Sequence, residues 1–434
     1  MYKRRRLLTP SCLLPLSFLL RQSNGVVDAT MHAKDLLASS SSVAFASLGR
    51  SIFNFRGDQT MESGAGGEGQ DALLLGFQSC IEDVLVDLSA AAGAEGDGLL
   101  SIAWLRRLLH GFLLCHEEFR ALLLDRGAAV ARPPLDRLVA DYYDRAIKAL
   151  DICNAARDGI EQLRRWRAHL EIVVAALRPA AGGGGGISEG QVRRARKALA
   201  DLAVLMLDDR DAGSATVSRR NRSFERSRGS GSSSTSSPKT TGRKVSGFRS
   251  LSWSVSHSWS AARQLQAIGS NLAAPRGHEV AATGGLAAAV YTMNAVLLFT
   301  MSSVVAAIPC QDRGLQVHFA VSRTFPWAPA ITYLHDRIVE ESKKRERKNS
   351  AGLLQEILQI ERCTQQMAEL MQTGTFPMAK GEEQQLSERA KELAQICDAM
   401  KDGLDLLERQ VREIFLRIVR SRTETLNPPA HTAN

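Results

Sequence analysis

The sequence predicts an all-α protein, a long-helix bundle with a disordered N-terminus and a disordered central Ser/Arg-rich linker. Three observations carry this. Apolar residues return every three or four positions through most of the 434 residues, which is the period of a helix with one buried stripe. No run of alternating apolar and polar residues matches that signal in strength, so strands are not expected. Gly, Pro and Ser gather in a few stretches without such stripes, while apolar residues make up 44% of the whole. Folded blocks with a sizeable core, separated by unstructured joints, account for both facts.

Residues 1–68 read as a disordered N-terminal extension ending in SGAGGEG. The opening MYKRRRLLTPSCLLPLSFLL is basic and then apolar, as a secretory signal would be. Pro15 interrupts the run, and no clean small-residue cleavage site follows closely. The span to Gly49 holds two acids, Asp28 and Asp35, and many serines, which also suits an organelle transit peptide. An extension ahead of the folded part is the preferred reading, with organelle targeting by residues 1–46 disfavoured.

An N-terminal helical region follows over 69–207. Leu74, Phe77, Ile81, Leu85 and Leu88 form a first stripe; Ile102, Leu105, Leu109, Phe112, Cys115, Phe119 and Leu122 form a second. Ser101 is placed to cap the second helix. Pro133 and Pro134 break it and open a third, because proline is tolerated in a first turn but not inside. That third helix runs from Leu135 through Val139, Tyr142, Ala146, Ile160, Leu163, Trp166 and Leu170 to Leu177, with Gly159 as a place where it could bend. Unbroken, it extends roughly 65 Å. Arg178-Pro179 and the glycines at 182–186 end it; Val192, Ala195, Leu199, Leu202, Leu205 and Met206 face a fourth helix.

Residues 208–257 read as a basic Ser/Arg-rich linker, too poor in apolar groups to offset its ordering entropy. Ten basic residues against one acid, Glu225, lie within 218–263, which equals the whole formal charge of +9. The positive charge is therefore local and suits an acidic partner. Arg219, Arg220, Arg222, Arg243, Lys244 and Arg249 are candidate contacts to an anionic membrane surface, where each basic residue gains about 1 kcal/mol. Phe224, Phe248, Trp253 and Trp259 interleave with arginines, a style of flexible nucleic-acid binder, but nucleic acid is the weaker candidate. Ser223, Ser227, Ser246 and Ser250 follow basic residues and are candidate sites for a basophilic kinase.

A short helix and a Pro-Arg-Gly turn are expected over 258–279. Residues 280–311 carry no Asp, Glu, Lys or Arg. Their dense part, 286–308, is long enough for a single-pass span, but Tyr291, Asn294, Thr300, Ser302 and Ser303 temper its hydrophobicity. Either it spans a membrane or it is a helix buried on all sides. A C-terminal helical region occupies 312–426, ahead of a tail at 427–434, and the two helical regions are expected to pack as one bundle. In it Leu393, Ile396, Met400, Leu404, Leu407, Val411, Ile414 and Ile418 form a heptad-like seam, read either as internal core or as a docking face.

Catalytic motifs do not emerge. The glycines at 182–186 lack the following GK[ST] of a P-loop, and His116-Glu117-Glu118 has no second histidine four residues on, as a zinc helix requires. His110 and His116 fall on different faces. The seven cysteines are odd in number and hold no CxxC pair; Cys115, Cys153 and Cys397 lie on apolar stripes and read as buried thiols in a reducing compartment. No enzyme activity, cofactor or metal is expected.

Several segments together resemble the plant BYPASS-related family, in its exocyst-interacting branch. They are Phe77-Gln78, Leu100-Ser101-Ile102-Ala103-Trp104-Leu105, Cys115-His116-Glu117-Glu118-Phe119, and Asp144-Arg145-Ala146-Ile147-Lys148-Ala149-Leu150-Asp151-Ile152-Cys153-Asn154-Ala155. Ser258-Trp259-Ser260-Ala261, Pro275-Arg276-Gly277, Pro309-Cys310-Gln311 and Arg409-Gln410-Val411-Arg412-Glu413-Ile414-Phe415 continue the series in order. The resemblance begins about Ser47-Leu48-Gly49-Arg50 and ends about Leu426. It implies a non-enzymatic regulator that binds an exocyst tethering subunit and restrains polarised secretion, at the cytoplasmic face of the plasma membrane. The alternative it implies is an integral membrane protein controlling a small mobile growth-arresting signal.

Overall fold

A computed structural model describes residues 67–93, 98–178, 186–222, 260–309, 319, 321–346, 352–373 and 376–426, with backbone alone over 67–71, 207–222, 345–346, 373 and 425–426. The expected disorder of the N-terminal extension and of residues 223–257 lies outside these. The described residues fall within one unit and form eleven helices, with no strand among them. In chain order they are α1 Gly67–Gly93, α2 Ile102–Asp125, α3 Gly127–Val130, α4 Leu135–Ala176, α5 Glu189–Arg222, α6 Ala261–Gly269, α7 Gly277–Ala282, α8 Leu286–Ala307, α9 Ala328–Glu346, α10 Gln355–Thr373 and α11 Lys380–Leu426.

The local chemistry of the ends explains where the helices start. Ser101 caps α2, its hydroxyl accepting from the Trp104 N–H at 3.0 Å, which satisfies one of the orphan donors of the first turn. Ser260 does the same for α6 by accepting from the Arg263 N–H. α4 begins directly after Pro134 and continues for 42 residues without interruption. The helix is unbroken at Gly159. A Cβ there would collide with Ile308 and with the Pro309 carbonyl, so glycine lets α4 lie against the end of α8.

α8 is the centre of the molecule. All 22 of its residues are buried, and α1, α2, α4, α6, α7 and α9 pack around it. Among the described residues it is the one helix long and apolar enough to cross a membrane by length and composition. In this structure its surroundings are protein on every side. Two of its polar side chains bond within the helix: Asn294 Nδ2 donates to the Val290 carbonyl at 2.9 Å and Ser303 Oγ to the Phe299 carbonyl at 2.9 Å. Tyr291 is met from outside the helix, its hydroxyl accepting from the Ser322 N–H at 3.2 Å, and Thr300 and Ser302 are buried among the surrounding helices.

Residues 98–102 and 352–356 fasten the end of α8. The Leu353 and Leu354 amides donate to the Ala306 and Ala307 carbonyls, each at 3.1 Å, and the Gln355 amide to the Leu100 carbonyl at 3.1 Å. Glu356 then caps α2 from outside, accepting from the Ile102 N–H at 3.0 Å. Its carboxyl is pushed up by burial.

Three boundaries differ from the sequence reading. The helix expected to stop near 207 runs to Arg222 as α5, so residues 208–222, within the stretch read as linker, are helical in backbone. Once its buried first half is formed, each further residue adds a hydrogen bond without a new nucleus, and few apolar groups are needed. The continuous amphipathic stretch read over 330–373 is two helices, α9 and α10. The seam at 393–418 belongs to a helix of 47 residues, because charged and Gln-rich turns extend it beyond its apolar part.

Candidate docking surface

α11 has two sides of opposite character. Inward, all eight seam residues are buried, with Leu393, Met400 and Ile414 fully so. They lie against α4, α2 and α10, and Gly403 removes the side chain that would collide with Ile102. The docking-face reading of Leu393, Ile396, Met400, Leu404, Leu407, Val411, Ile414 and Ile418 is thus replaced by the core reading. A stripe this apolar is satisfied inside its own chain first, because the neighbouring helices are tethered to it.

Charge flanks this seam and clamps it. Arg164 of α4 meets Asp405 at 2.8 Å, Glu408 at 2.5 Å and Glu161 at 3.3 Å. Arg417 of α11 meets Glu117 of α2 at 2.7 Å and Glu413 at 2.8 Å. Arg120 joins Glu117 at 2.7 Å to Glu424 at 3.0 Å. Gln410 donates to the Arg106 carbonyl at 3.1 Å. The hydrogen bond from Arg164 holds the Asp405 carboxyl below its ordinary range, and that from Arg120 does so for Glu117. His116, beside this network and tilted against Phe112, is lowered to about 4, chiefly by burial. It is a buried histidine that is neutral at cellular pH.

Outward, the C-terminal half of α11 exposes Leu406, Arg409, Arg412, Leu416, Val419, Arg420 and Arg422. Leu416 and Val419 are 45% and 41% exposed. Steps of three and four place Arg409, Arg412, Leu416 and Val419 in one stripe. Among the described residues, no carboxylate forms an ion pair with Arg409, Arg412, Arg420 or Arg422. Arg164, Arg417 and Arg120 along the seam are paired, whereas these four are not. The preceding turns of the same side are acidic at Asp398, Asp402 and Asp405, so the positive field is confined to the last five turns. This face is the residue set that sequence reasoning missed. Its signal, Arg-x2-Arg-x3-Leu-x2-Val, was present but hidden beneath the stronger seam.

The side chains of the other sequence candidates fall outside what the structure describes. Ser223, Ser227, Ser246, Ser250, Arg243, Lys244 and Arg249 lie outside the described residues. Arg219, Arg220 and Arg222 are on the last turns of α5, their side chains likewise outside. Among the described residues no group of three His, Cys, Asp or Glu side chains could hold a metal.

A model of the family described as "Protein ROH1-like" matches residues 41–428. The chain belongs to this family. It is the BYPASS-related grouping that the sequence segments resemble. Protein ROH1D of Arabidopsis thaliana is 48% identical over 392 residues, covering 88% of this chain and 96% of that protein. Protein ROH1A of the same plant is 38% identical over 352 residues, covering 78% and 82%. No solved structure matches. For this ROH1-like chain, the family's name carries no enzymatic activity.

Proposed function

We propose that this ROH1-like chain is a non-enzymatic regulatory adaptor. It binds an exocyst tethering subunit and restrains polarised secretion in plant development, working at the cytoplasmic face of the plasma membrane. One observation carries the reading: α11 spends its apolar seam on its own core yet still presents unpaired arginines around two exposed aliphatic side chains. Such charge steers encounter with an acidic surface, and the aliphatic pair supplies the desolvated centre of a contact. The basic residues between α5 and α6 would hold the bundle on an anionic leaflet while α11 docks.

The alternative, an integral membrane protein, requires α8 to leave a core in which each of its residues is buried. The adaptor reading is therefore preferred, and extraction of membranes at alkaline carbonate separates them: the adaptor is released into the supernatant, a spanning protein is retained. For docking, full-length chain carrying Arg412→Glu and Leu416→Asp is compared with the unaltered chain in pull-down of exocyst subunits from plant extract. The expected result is loss of at least tenfold in captured subunit with an unchanged melting temperature. Equal capture by both chains rejects this face as the docking site.

A further inference from the structure

α1 and α2 form an antiparallel hairpin whose rungs can be followed side chain by side chain. The Phe77 and Phe119 rings lie 5.8 Å apart, Val84 fills the space left open by Gly111, and Trp104 Nε1 donates to the Leu88 carbonyl at 3.0 Å. Between the first two of these rungs, Cys80 and Cys115 face each other with their sulfurs 3.8 Å apart. Both are free thiols. Cys80 is half-buried at the edge of the hairpin, and Cys115 is 1% exposed behind it.

We propose that Cys80 and Cys115 are a modification site: a dithiol that a hydroperoxide converts reversibly to a disulfide, locking α1 to α2. Contact distance already brings the pair within reach. A disulfide bond is about 2.05 Å long, so each sulfur has to move roughly 0.9 Å, a small rotation about its side-chain torsion. The backbones are close at this level because Gly111, one turn from Cys115, has no side chain between the helices. The two thiols also differ as an attacking and a resolving pair should. Cys80 is reachable from solvent, and the hydrogen bond from Cys115 holds its thiol below the ordinary value. That same hydrogen bond, with burial, raises Cys115.

The chemistry has two steps. The Cys80 thiolate attacks the outer oxygen of the hydroperoxide; with one proton taken up it becomes sulfenic acid, and an alcohol (water, from hydrogen peroxide) leaves. Cys115 then attacks the Cys80 sulfur, the S–O bond breaks, and the hydroxyl departs as water with the Cys115 proton. Two electrons pass from the thiols to the peroxide, and one S–S bond forms. A dithiol reductant reverses it by exchange. In a reducing compartment the pair rests as thiols, as it stands in this structure.

The test uses the full-length reduced chain, titrated with hydrogen peroxide, alkylated, digested without reduction and mapped by mass spectrometry. The expected product is a Cys80–Cys115 cross-linked peptide within a monomer, removed by dithiothreitol, with a rise in Tm of roughly 5–10 °C. In Cys80→Ser the cross-link disappears and Cys115 stays alkylatable at the same dose. In Cys115→Ala, Cys80 stops at the sulfenic acid and is trapped by dimedone. Two results overturn the proposal: Cys80 linked to any other cysteine, or both thiols still alkylated at a dose that oxidises Cys363 or Cys397.

Discussion

α8 and α11 use their apolar residues in opposite ways. α8 is predominantly apolar on every side, buried along its whole length and free of Asp, Glu, Lys, Arg and His. α11 is apolar on one side only, clamped along that side by Arg164, Arg417 and Arg120, and left open on the other. The contrast separates what holds the bundle from what the bundle presents. A helix buried on every face cannot recognise anything without unfolding its neighbours, whereas a helix buried on one face can carry a second function on the other.

The sharpest way to break this division is to charge the centre of α8. Leu297→Asp places a carboxylate at a fully buried position with no cation on its own helix, and a loss of about 4 kcal/mol or more is expected. Circular dichroism should show no cooperative melt. Retained folding, with the chain recovered in detergent, would put α8 in a bilayer instead.

A pH titration sharpens the comparison at the inner edge of α11. His116 binds a proton in the unfolded chain near its ordinary value of 6.5 but in the folded chain only at about 4. Between these values the unfolded state holds more protons, so stability falls as pH drops from 6.5 to 4, by about 3 kcal/mol at most. Above 6.5 and below 4 this histidine adds no slope. His116→Leu should flatten the pH dependence of Tm across that window; an unchanged slope would assign it to other groups.

Gly159→Val tests the approach of α4 to the end of α8. Overpacking against Ile308 and the Pro309 carbonyl should cost about 2 kcal/mol, read from the urea midpoint. If glycine served as a bend instead, the substitution would stabilise.

A smaller effect is expected from Arg417→Ala, which removes the pairs to Glu117 and Glu413. These are partly exposed, so about 0.5–1 kcal/mol is at stake, and the difference should shrink in high salt. The smallest effect on stability belongs to the outer face, where Arg409→Glu should shift folding by less than about 0.5 kcal/mol. If Tm drops as far as it does for Arg417→Ala, the outer arginines are structural and the two-sided description fails.

The fold was legible to the extent that apolar spacing alone decides it. α2, α4 and the seam of α11 could be read from single stripes, and Ser101 as a cap from its place ahead of one. α5 was underestimated because a helix extending from a folded nucleus needs no apolar face of its own. α9 and α10 were merged because Gly352, which joins them by packing its backbone against the Ala307 carbonyl, looks like any glycine within a polar stretch. The outer face of α11 went unread because four arginines become informative only when other arginines of the same region are seen to be paired.

What the sequence determined by itself is the helical character of the chain and the identity of its buried stripes, since both follow from periodicity along one strand of covalent structure. What only the tertiary structure decided is which surface each stripe meets. Residues 286–308 could satisfy their backbone and hide their apolar groups equally in lipid or in protein, and the seam of α11 equally in a partner or in its own bundle. Local chemistry is the same in each pair of outcomes. The choice falls to contacts between residues far apart in the chain, such as Gly159 with Ile308, Gly403 with Ile102 and Arg164 with Glu408, and these exist only once the helices are assembled.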